Sequence, residues 1–163
     1  MVEMLIVLAV ILLLAAIAVT NFLRARMQAN EAAAVANMRT VNTAEAIYYN
    51  TYPTAGYADS LAKLGGSGST CENPSPAASC IIMDEVLTGG LKGGYRFELL
   101  GDGQVPAQAY TLTALPEFSG TSGGCAFTSS QSGEIAAAPS GGGGRFSLAT
   151  NNCDQPGSVS SDR

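Results

Sequence analysis

Histidine is missing from this sequence altogether, and with it the commonest general base and the commonest transition-metal ligand. No serine, threonine or cysteine therefore has an imidazole partner, and no nucleophile is accompanied by a plausible base, which argues against an enzyme. The glycine run at 141–144 is not followed by the Lys-Ser/Thr of a phosphate-binding loop. No D-x-D-x-D-G pattern is present, so Asp102, Asp154 and Asp162 read as turn acids rather than calcium ligands. No cysteine pair has C-x-x-C spacing, which excludes the usual zinc, haem and thioredoxin-like sites. Neither a metal nor an organic cofactor is expected. Basic residues are scarce: eight Lys and Arg against thirteen Asp and Glu give a net charge of −5 and a pI near 4.5. Such a chain has no footprint for a row of phosphates, and nucleic acid is not indicated as a ligand. The only Asn-x-Ser/Thr triplet, Asn73-Pro74-Ser75, is blocked as a glycan acceptor by its proline.

Proline and glycine are also absent before Pro53, so nothing local stops a helix over the first fifty residues. A helix of that length measures about 75 Å and cannot be hidden inside the roughly 110 residues that follow. Its N-terminal half must protrude. Residues 1–23 carry one charge, Glu3, and residues 4–23 carry none. Twenty residues rise roughly 30 Å, the thickness of a bilayer's hydrocarbon core. Leu, Ile, Val and Ala fill this run without a polar stripe, so it is surrounded on all sides by lipid or by protein. Arg24 and Arg26 close it. Residues 24–52 continue the helix in amphipathic form. Ala34, Met38, Val41, Ala44, Tyr48 and Tyr52 recur at steps of three and four, the spacing of one buried face. Gln28, Asn30, Glu31, Asn37, Arg39 and Glu45 supply polar positions.

Residues 53–163 read as one β-rich globular domain with a modest core. Strand-like runs fall at 95–100, 109–115 and 125–129, punctuated by Gly, Pro or Asp-Gly. Ser132-Gly133-Glu134-Ile135 turns into a fourth strand, and 145–150 makes a last short one. Gly101-Asp102-Gly103 suits a hairpin connection. Short helical turns are expected within 59–64 and 81–87. Tyr48, Tyr49, Tyr52 and Tyr57 crowd the end of the long helix, where they read as aromatics packing it onto the sheet. Cys71, Cys80, Cys125 and Cys153 form an even set in a Gly/Ser-rich region, which points to disulfides and an oxidising compartment. Of three connectivities, proximity in sequence favours Cys71–Cys80 and Cys125–Cys153.

The run Val2-Glu3-Met4-Leu5-Ile6-Val7, with Leu8-Ala9-Val10-Ile11 and Ala15-Ala16-Ile17-Ala18-Val19-Thr20-Asn21-Phe22 behind it, resembles the N-terminus of type IV pilins and pseudopilins. The likeness covers roughly residues 1–50. In that family a prepilin peptidase cuts after a glycine, and the new terminus is usually an N-methylated phenylalanine with a glutamate a few residues on. Aligning that glutamate with Glu3 implies that a leader, the aromatic residue and one more residue precede Met1. Two positions depart from the family: Leu12 and Thr20 stand where a glycine and a proline are common. Both helix breakers are gone, so the helix is expected to stay continuous in an assembled filament.

The resemblance implies an α+β fold in which the C-terminal half of the long helix packs on a small antiparallel sheet, with disulfide-stapled loops. It implies a structural subunit of an extracellular filament, resident in the inner membrane before assembly and handled by prepilin peptidase and the pilus assembly machinery. The filament core is then a homo-oligomeric bundle of N-terminal helices, formed by Met4, Leu5, Ile6, Val7, Leu8, Val10, Ile11, Leu12, Leu13, Leu14, Ile17, Val19 and Phe22. Glu3 becomes the assembly residue, because a carboxylate among apolar helices is costly unless it meets a cation. The family offers the amino terminus of a neighbouring subunit. Two other readings share this N-terminus or its hydropathy: a type II secretion pseudopilin, and a membrane-anchored monomeric binding domain.

Overall fold

A computed structural model describes residues 2–140 and 147–148. Its first element, α1 (Val2–Thr51), is a single unbroken α-helix that passes through Leu12 and Thr20 without interruption. The helix stops where its chemistry stops it. Tyr52 N–H still bonds to the Tyr48 carbonyl at 2.8 Å, but Pro53 has no N–H and disfavours helical geometry in the residue before it. Gly56, at φ +80°, then turns the chain back toward the sheet.

The expected apolar face is the one that docks. Ala34, Met38, Val41, Ala44 and Tyr48 are buried, and Tyr52 is partly buried against them. They cover the inner face of an antiparallel sheet whose strands lie side by side in chain order: β1 (Leu91–Lys92), β2 (Tyr95–Gly101), β3 (Tyr110–Pro116), β4 (Cys125–Ser130), β5 (Ile135–Pro139) and β6 (Ser147–Leu148). Alternation sets the faces. Tyr95, Phe97 and Leu99 of β2, with Tyr110, Leu112 and Ala114 of β3, point inward, while Arg96, Glu98 and Leu100 point out. Across the register, Phe97 faces Ala114, Ala114 faces Phe127 and Phe127 faces Ala137, so large and small side chains alternate along one row. Tyr95 is fully buried and donates its hydroxyl proton to the Cys125 carbonyl at 3.0 Å.

The strand and turn expectations hold in substance, with shifts. The turn expected within 59–64 is α2 (Leu61–Leu64), and the one expected within 81–87 lies later, as α3 (Glu85–Thr88). Asp84 explains the second shift: its carboxylate accepts from the Val86 and Leu87 amides and so starts the helix there. Ile82, instead of entering a helix, sends its N–H to the Leu64 carbonyl at 2.8 Å and is buried. Gly101-Asp102-Gly103 is not a tight hairpin, because it opens a longer connection that runs to Ala109. The Asp102 carboxylate organises that connection by accepting from the amides of Gln104, Gln108 and Ala109. Those bonds, Gln104 first, hold its carboxyl below the usual range. The role is a turn role. Asp154 and Asp162 lie outside the described residues.

Cys71 and Cys80 are joined, with Cα atoms 5.6 Å apart, and staple the 65–80 loop. Cys125 is also disulfide-bonded. Cys153, its expected partner, lies outside the described residues, as does most of the 145–150 run around β6.

Candidate functional site

Two surfaces of α1 carry the chemistry that the fold leaves available. The first is the protruding half. Residues 2–19 and 21–26 are exposed, and an 18-residue window of this segment has a mean hydropathy of 3.0 with none of it buried. The apolar side chains named above as filament-core residues range in exposure from 52% at Val10 to 72% at Met4. At about 1.5–3 kcal/mol for each large apolar side chain, discounted for partial exposure, covering them is worth roughly 10–20 kcal/mol. That equals or exceeds the stability of a typical domain, about 5–15 kcal/mol. A segment of this kind is covered in any aqueous setting. Glu3 sits in its first turn, where an acid also suits the helix dipole. Arg24 and Arg26 are exposed at the other end, about 32 Å away along the axis.

The second surface is the seam between the docked half of α1 and the rest of the chain. It is held by a ladder of polar contacts as well as by the apolar face. Asn30 Nδ2 donates to the Ser122 carbonyl at 2.9 Å, and Glu31 Oε1 accepts from the Gly124 amide at 2.7 Å. Asn42 donates to Ser129 Oγ at 2.8 Å and accepts from the Tyr110 hydroxyl at 3.1 Å. Tyr48 donates to the Pro76 carbonyl at 2.7 Å, which ties the disulfide-bearing loop to the helix. Tyr49 and Tyr57 stack with centroids 4.7 Å apart, and Tyr57 meets Tyr110 at 5.1 Å.

Glu45 belongs to this seam, against the expectation that it is one of the polar positions of an amphipathic helix. It is buried completely. Oε2 accepts from the Ala58 amide at 2.9 Å, while Oε1 has no hydrogen-bond partner among the described residues. Burial is the main force on its ionisation and pushes its pKa to about 7; the Ala58 bond opposes this and the nearby Asp59 adds to it. The sequence signal that marks it is weak: one acid between Ala44 and Ala46, a single step from the buried row.

On the free side of α1, Arg39, Thr40, Thr43, Ala44 and Ile47 form an open groove of about 360 Å³ with Ile81 and Ile82. Its lining is mostly apolar, and Arg39 is its one charged residue. Among the described residues, no three His, Cys, Asp or Glu side chains converge as a metal site.

Comparison with protein-family models, with curated proteins and with solved structures returns no match to this chain.

Proposed function

We propose that this chain is the structural subunit of a type IV pilus-like extracellular filament. One observation carries the reading: a single continuous helix whose C-terminal half is docked on a sheet and whose N-terminal half is apolar on every side and exposed. In this reading the span from Met4 to Phe22 lies in the inner membrane before assembly and then packs against its copies in the filament core. The sheet and its loops form the outer surface. Lipid is already apolar, so moving the span from bilayer to bundle yields far less than moving it out of water. Register must then come from something directional, and Glu3 supplies it by pairing with a cation of a neighbouring subunit. An unbroken α1, without the glycine and proline common in the family, remains helical in the core as well. Prepilin peptidase and the assembly machinery are the further partners this reading requires.

Negative-stain microscopy of material sheared from cells expressing the chain tests the reading, with the Glu3→Ala variant beside it. Long fibres from the parent and few from the variant are expected, with equal membrane insertion of both. Absence of fibres from the parent under conditions that assemble other filaments overturns the reading.

A further inference from the structure

Among the described residues, Glu45 is the only charged side chain that the fold removes fully from water. Of its surroundings only the Ala58 amide favours the ionised form; burial and Asp59 oppose it. From its own helix comes Tyr48, buried and with its hydroxyl committed to Pro76. From β3 comes Tyr110, whose hydroxyl is committed to Asn42. From the loop after α1 come the Ala58 amide, which donates to Oε2, and Asp59, a second negative charge. Lys63, the cation beside that loop, is engaged by Asp59 at 2.7 Å. Among the described residues the carboxylate therefore has one donor, no cation within bonding distance and a second oxygen with no partner. One amide bond does not offset the cost of burying a carboxylate.

The position of this group gives its proton a mechanical consequence. Residues 55–58 hold α1 to the far end of the sheet. Ala58 is bonded to Glu45, Tyr57 N–H to the Ala107 carbonyl at 3.1 Å, and Ala107 N–H to the Ala55 carbonyl at 2.9 Å. The β2–β3 connection is thereby tied to the helix through the same short segment.

We propose that Glu45 is a proton-operated latch, which holds the 55–58 segment closed on α1 while protonated and releases it when the proton passes to solvent. Ionisation leaves Oε1 in need of water. Lifting the irregular segment bonded to the other oxygen admits it without disturbing a strand or the helix. The latch rests on the seam alone and stands whether or not the chain forms filaments.

The test is amide hydrogen exchange of the full chain in detergent micelles between pH 5 and pH 8, read at Ala58, Tyr57 and Ala107 and corrected for intrinsic base catalysis. Protection of these amides is expected to fall on the order of a hundredfold across that range in the parent chain, the scale set by a carboxyl carried from 4.5 to about 7. It should stay level in Glu45→Gln, which keeps the shape and cannot ionise. Corrected protection that is flat with pH in the parent, or that falls equally in the variant, overturns the proposal. Should the variant not fold, the ¹³C shift of the Glu45 carboxyl in the parent decides. A midpoint above pH 6 supports the latch, and one in the ordinary glutamate range overturns it.

Discussion

Gly56 is where the return of the chain onto the sheet is most tightly specified, and Gly56→Ala tests that specification. Its φ is +80°, and a β-carbon built there would stand 2.1 Å from the Ala107 carbonyl oxygen and 2.4 Å from the Ala107 nitrogen. These are backbone atoms, so no rotamer change relieves the clash. Two costs follow. A side chain in the left-handed region costs about 1–2 kcal/mol. Moving the strands of this bridge apart weakens two main-chain hydrogen bonds, each worth about 0.5–1.5 kcal/mol net. The expected loss is roughly 2–5 kcal/mol. Gly103→Ala separates the two costs, because Gly103 has φ +75° and nothing within 4 Å of its missing β-carbon. It should lose only the conformational part, about 1–2 kcal/mol. Urea unfolding of the full chain in micelles, followed by the near-ultraviolet dichroism of its six tyrosines, gives both values. If the two variants agree within about 0.5 kcal/mol, the close approach at Ala107 has no energetic weight and the reasoning fails.

Tyr95→Phe should lose about 1–2 kcal/mol in the same assay, since it strips the Cys125 carbonyl of its buried donor; an unchanged midpoint would mean that water replaces the hydroxyl. Paired serine substitution of Cys71 and Cys80, whose disulfide closes a separation of 9 residues, should cost about 2–3 kcal/mol by chain entropy and leave helix content intact. Glu45 binds its proton more tightly folded, at about 7, than unfolded, at 4.5, so its stabilising contribution is full below pH 4.5 and lost as pH rises to 7. The stability of Glu45→Gln relative to the parent should therefore rise by about 3 kcal/mol between pH 4.5 and pH 8, and a pH-independent difference would contradict the assigned pKa. In the filament reading proposed above, Glu3→Ala should reduce fibre yield without loss of membrane insertion, and wild-type fibre amounts would remove Glu3 from the proposed assembly step.

Much of the fold is legible because its rules are local. The three-and-four spacing of Ala34, Met38, Val41, Ala44 and Tyr48 marks the docked face, and period-two alternation marks β2 and β3, each to within a residue at its ends. Two features escape such reading for different reasons. β1 is only two residues long, yet its signal is present: Gly93-Gly94, both at positive φ, join Lys92 to its register partner Tyr95, the pattern of a two-residue hairpin turn. Glu45 has only a weak local signal, its place one step from the buried row, because its burial also depends on Ala58 arriving from 13 residues downstream. A helical wheel ranks a residue by its type. Here the wheel position wins over the type, and the cost appears as an orphaned oxygen.

The protruding half of α1 presents the opposite case, since its information is in composition and nothing among the described residues covers it. The boundary between the halves can nevertheless be placed. Arg24 and Arg26 are exposed, Met27 is the first residue to lose part of its exposure, and Asn30 and Glu31 make the first bonds to the sheet side, at Ser122 and Gly124. About one turn of helix separates the arginines from the first docking contact. In the filament reading proposed above, the two guanidiniums form a collar between the apolar span and the folded body, at the level where a bilayer's headgroups would meet water. The seam then begins with Asn30 and Glu31, where α1 is only partly buried and where both contacts go to backbone groups, the Ser122 carbonyl and the Gly124 amide.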